Sequence, residues 1–60
     1  MTDLTPLAVR VAASERLISL AEFLQRADVN ATTFWRWEKG EVTPRPLTLA
    51  KLRRAVEAKP

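Results

Sequence analysis

Apolar residues in this chain recur three and four positions apart, in four short blocks separated by breakers. No block alternates apolar with polar residues as a half-buried strand does. The pattern predicts an all-α fold, a small four- to five-helix bundle. The first block opens at Thr5-Pro6, where a hydroxyl can cap a helix and proline at the first position loses no needed donor. Its stripe reads Leu7, Val11 and Ser14, with Ala8 and Ala12 beside it, which places a helix at about 6–15. The second block starts on Ser19-Leu20-Ala21-Glu22, a capping box in which each residue answers the other's amide. Ile18 and Phe23 stand at the positions of a hydrophobic staple. Leu20, Phe23, Leu24 and Ala27 then form one face of a helix at about 20–27.

Asp28-Val29-Asn30 reads as a turn, with Asn30 as the cap of a third helix at about 31–39. Phe34 and Trp37 lie on one side of that helix; Thr32, Thr33, Trp35, Arg36 and Lys39 lie on the other. Gly40 suits the left-handed residue just past its end. After Pro44-Arg45-Pro46 a fourth helix at about 46–58 carries Leu49, Leu52, Ala55 and Val56 on one face. Lys51, Arg53 and Arg54 are expected to face outward. Two short helices around a three-residue turn make a helix-turn-helix, a unit whose second helix enters the DNA major groove. In it Leu24 and Ala27 would meet Phe34 and Trp37 across the turn, with Val29 plugging the corner.

Composition narrows the chemistry. Sixty residues make one small domain, 1–60. With no cysteine and no histidine, zinc fingers and both Ser-His and Cys-His catalysis are excluded. No convergent acid–base or metal set is present, so no enzyme, metal or cofactor is expected. An apolar share of 47% is too high for a disordered chain. No apolar window of ~18 residues exists, so no membrane span is expected. The opening MTDLTPLAV lacks the basic start and long apolar centre of a secretory leader. A cytoplasmic location, bacterial cytoplasm or nucleoid, follows as the expectation. The net charge of +3 is unevenly spread: residues 1–30 hold three arginines against four carboxylates, residues 31–60 seven basic residues against three acidic. A basic half on so small a domain is the electrostatic footprint of a nucleic-acid binder.

The segment Leu20 to Gly40, ending in Arg36-Trp37-Glu38-Lys39-Gly40, resembles the phage-repressor, Cro/cI-type (XRE) helix-turn-helix family. The family's common Arg-Trp-Glu-x-Gly ending is present, and Pro44 to Val56 matches its next helix in register. The resemblance covers about residues 5–57, with the first helix the least specific part. At two places the chain departs from the family. Asp28 stands where the family usually has glycine, and aspartate tolerates a left-handed backbone better than most residues. Leu24 and Ala27 reverse the family's usual order of small before large.

The resemblance implies a sequence-specific regulator of transcription, a small phage- or mobile-element-like repressor or activator that binds double-stranded DNA in the major groove. By position, Thr32, Thr33, Trp35 and Arg36 would contact bases, and arginine can bond guanine O6 and N7 with two donors at once. Ser19, Asn30, Lys39, Thr43 and Arg45 would contact phosphates. Glu38 would pair with an arginine of the first helix, Arg10 or Arg16. Such a regulator acts by occupying DNA or by touching RNA polymerase. One short helix reads few base pairs, so a weak homodimer completed on DNA is expected. The end of the fourth helix and the loop Glu41–Pro46 are the expected dimer contacts.

Two other readings compete. Leu17 to Phe23 followed by Thr32 to Arg36 also resembles an excisionase-like, winged-helix architectural DNA binder, which would continue into a strand hairpin after Gly40. A helical protein-interaction module, antitoxin-like, would use Trp35 as its anchor.

Overall fold

A computed structural model describes residues 4–58. Its helices are α1 (Pro6–Glu15), α2 (Leu20–Arg26), α3 (Ala31–Glu38) and α4 (Pro46–Glu57). There is no strand among the described residues, and the stretch after Gly40 leads into α4 without the hairpin a winged helix needs.

Local chemistry starts the helices. The hydroxyl of Thr5 accepts from the Ala8 amide at 3.1 Å, that of Ser19 from the Glu22 amide at 3.1 Å, and Asn30 Oδ1 from the Thr32 amide at 2.7 Å. Each satisfies one of the amides a helix start leaves without a partner. The return half of the Ser19 capping box is replaced: the Glu22 carboxylate lies 3.7 Å from Arg26, one turn on. α4 starts on Pro46 with no side-chain cap.

One device ends the first three helices. Leu17, Asp28 and Gly40 each adopt a left-handed backbone, with φ of 58°, 60° and 81°. Behind each, paired amides turn back onto the last carbonyls: Leu17 to Ser14 and Ile18 to Ala13, Asp28 to Gln25 and Val29 to Leu24, Gly40 to Trp37 and Glu41 to Arg36. This is the Schellman arrangement, and it folds the chain back within two residues each time.

The core is Val9, Ala12, Ala13, Phe23, Leu24, Ala27, Val29, Phe34 and Leu52, with Ile18, Leu20, Trp37, Ala55 and Val56 packed around it. Val29 and Leu24 occupy the corner between α2 and α3, next to the fully buried Phe34. The expected α1 stripe is corrected. Leu7 and Val11 are 69% and 48% exposed, while Val9, Ala12 and Ala13 face inward. α1 is packed by α2, α3 and α4 together, and the two alanine methyls let those helices approach closely. Trp37 is half-buried rather than central; it packs edge-on against Phe34 with ring centroids 6.0 Å apart.

Polar ties close the bundle. The Arg16 guanidinium donates to the carbonyl of Ala12 at 2.9 Å and to those of Ala55, Val56 and Ala58 at the end of α4. A cation at a helix C-terminus satisfies orphan carbonyls and opposes the helix dipole. Lys51 does not face outward alone as expected. Its Nζ donates to Asp28 Oδ2 at 3.0 Å and lies 3.4 Å from the Asp28 carbonyl, pinning α4 to the turn before α3.

Candidate nucleic-acid interface

α3 packs on α1 and α2 and is open on its far side. Phe34 anchors it in the core, and Ala31 and Trp37 flank that anchor. Glu38 joins it to α1: Arg10 Nη2 donates to Glu38 Oε1 at 2.7 Å, and Arg10 Nε donates to Oε2. Of the two arginines expected to compete for Glu38, Arg10 holds it, because Arg16 is committed to the α4 carbonyls. The Arg10 guanidinium also stands over the Phe34 ring, 5.7 Å from its centroid. Hydrogen bonds from Arg10 hold the Glu38 carboxyl below its ordinary range.

At about 100° per residue, what remains of the α3 surface is an arc of Thr32, Trp35, Arg36 and Lys39. All four are exposed, and Trp35 keeps 53% of its surface open. Thr33 is half-buried at the edge of the arc. It opens instead into a hollow of about 490 Å³ lined by Thr33 and Arg36 of α3, Val42 to Arg45 of the connecting loop, and Thr48 of α4. Two guanidinium groups and three hydroxyls therefore border one concavity. Pro44, buried, fixes the loop beneath it. Arg36, Lys39 and Arg45 make no ion pair among the described residues.

The sequence-expected residues thus fall into three places. Thr32, Trp35, Arg36 and Lys39 share the open arc. Thr33, Thr43 and Arg45 share the hollow with Arg36, which belongs to both. Ser19 and Asn30 stand apart as helix caps; their oxygens are engaged, leaving the Ser19 hydroxyl proton and the Asn30 amide group to donate. Two residues escaped the sequence reading. Thr48 borders the hollow from the first turn of α4, and Gln25 borders a second hollow with Asp28, Asn30 and Ala31 beside the start of α3. A polar residue two places after a helix-starting proline carries no signal of its own, so Thr48 emerges only once the loop is folded.

No metal-binding cluster exists among the described residues, and no helix there is long and apolar enough to cross a membrane. Comparison with family models, with characterised proteins and with solved structures finds no match to the chain.

Proposed function

We propose that the chain is a sequence-specific, double-stranded-DNA-binding regulator of transcription of the Cro/cI-like helix-turn-helix kind. In this reading α2, its turn and α3 form the helix-turn-helix, and α3 enters the major groove. The observation that carries it is the open arc of α3, where cations without acidic partners among the described residues and an exposed indole stand on a helix anchored from behind by Phe34 and the Arg10–Glu38 pair. Unpaired cations on a rigid element are what phosphate and base-edge recognition require. A helix with its side chains is about 10–12 Å across and fits a groove of about 12 Å width. Thr32, Trp35 and Arg36 read bases, and Lys39 meets the flanking phosphates. The hollow of Thr33, Arg36, Thr43, Arg45 and Thr48 seats a backbone phosphate beside the groove.

Selection of random duplex DNA by the purified chain tests the reading directly, and a recovered consensus is the expected result. On that consensus Arg36→Ala is expected to cost about 1–3 kcal/mol and relax preference at one base pair, whereas Arg45→Ala weakens specific and random duplex alike. Equal losses on specific and random DNA for Arg36→Ala would end its base-reading role. Failure to enrich any sequence, with binding insensitive to salt, would end the proposal.

A further inference from the structure

Two hollows adjoin between α2 and α4. One is lined by Arg26, Ala27, Lys51, Arg54 and Ala55, the other by Arg16, Ile18, Phe23, Arg26, Ala55 and Ala58. They share Arg26 and Ala55, so they are two stretches of one groove. The groove exists because Ala27 and Ala55 offer only methyl groups where the helices face each other. Its two stretches differ in chemistry. The second has an apolar wall of half-buried Ile18 with Ala55 and Ala58, between two guanidinium groups, while Phe23 beneath it is buried under the Arg16 guanidinium; the first is ringed by three cations.

The positive charge is only partly met from within. Arg16 is spent on the carbonyls of α4, Lys51 is held by Asp28, and Arg26 lies 3.7 Å from Glu22. Arg54 has no acidic partner among the described residues. Four cations therefore face two carboxylates along the groove.

We propose that this groove docks an acidic peptide segment of a partner protein. One aliphatic or aromatic side chain of the segment seats against Ile18, Ala55 and Ala58, and its carboxylates reach Arg26, Lys51 and Arg54. A phosphodiester strand would use the cations but leave the apolar stretch unfilled; an acidic peptide with one apolar residue uses both. A small apolar anchor surrounded by complementary charge is the usual energetic plan of a protein contact. The groove is built by α2, α4 and the corner between α1 and α2, and α4 packs on α1 and α2 but not on α3. Peptide docking therefore leaves the arc of α3 open, and the inference stands whether or not that arc binds DNA.

Fluorescence anisotropy of the full chain with a labelled peptide of about ten residues, acidic throughout except for one central phenylalanine, is the test. Arg54→Glu changes an exposed side chain without a partner and is expected to weaken binding about tenfold. Replacing the peptide's phenylalanine by serine is expected to weaken it comparably, and amide shifts on binding should cluster at Ile18, Phe23 and Ala55. Arg54→Gln gives the same comparison should the charge reversal disturb folding. Absence of binding, indifference to the Arg54 substitutions, or indifference to the peptide's phenylalanine each overturns the proposal. So do shifts confined to α3, or an Arg54 effect on duplex DNA with none on peptide, which would make the groove a phosphodiester surface.

Discussion

Leu17 is the residue most at odds with its backbone. It holds φ 58° and is 93% exposed, so it bears the cost of a left-handed conformation and buries nothing in return. That conformation costs a non-glycine residue about 1–2 kcal/mol, and glycine's extra freedom in the unfolded chain returns part of the difference. Leu17→Gly is therefore expected to raise stability by about 0.5–1 kcal/mol, read from the urea midpoint. The two aromatic residues of α3 separate in the same way. Phe34 is fully buried, and Phe34→Ala is expected to cost roughly 3–5 kcal/mol, enough to abolish a cooperative melt in a domain of this size. Trp37, half-buried at the edge of Phe34, is expected to lose roughly 1–2 kcal/mol on truncation and still melt cooperatively. Equal damage from the two substitutions would show that the edge contact is as central as the core. The caps at Thr5, Ser19 and Asn30 were legible in the sequence because a short polar side chain acts on amides two or three residues away. Leu17 was not, since nothing in a leucine announces a left-handed turn.

Among elements, the seam between α1 and α3 responds to pH. Arg10 holds the Glu38 carboxyl below its ordinary range in the folded chain, so the folded state releases this proton more readily than the unfolded one. The seam's contribution is complete above the ordinary carboxylate pKa of about 4.3 and is lost as pH falls through the lower folded value. Glu38→Gln should flatten that part of the stability–pH curve, and a curve unchanged by the substitution would place the acid sensitivity elsewhere. Which arginine makes this seam could not be read from spacing: Arg10 stands midway along α1 and Arg16 caps its end, and either side chain is long enough to reach a neighbouring helix. The choice depends on where α4 ends, because its carbonyls claim Arg16. The α1 stripe was misread for a related reason. Leu7, Val11 and Ser14 follow helical spacing, but Val9, Ala12 and Ala13 do so equally, and only the crowding of three helices selects the smaller set. The exposed arc of α3 was legible because Phe34 settles which side faces inward. The neighbouring hollow was not, because it depends on how Val42 to Arg45 fold over Pro44.

At the scale of the whole molecule, dimensions bear on how two copies would share DNA under the proposed reading. The backbone spans 29 × 25 × 17 Å, while half-sites one helical turn apart put their centres about 34 Å from each other. Two copies would meet only through the side chains at their rims, far less than a stable dimer buries. The chain is expected to sediment as a monomer and to protect two half-sites at saturation; protection of a single half-site at 1:1 stoichiometry would rule the pairing out. The repeated left-handed turn has a kinetic consequence as well. Each of the first three helices is finished by hydrogen bonds that reach back no more than five residues, so these joints can form before the chain collapses. What then remains is to dock a few preformed corners, with distant parts of the chain meeting chiefly where α1 receives α3 and α4. Chains dominated by such local contacts fold in microseconds to milliseconds. Temperature-jump relaxation of this one is expected to be a single fast phase, with Leu17→Gly quickening folding more than it slows unfolding, because the joint it eases is formed before the helices dock.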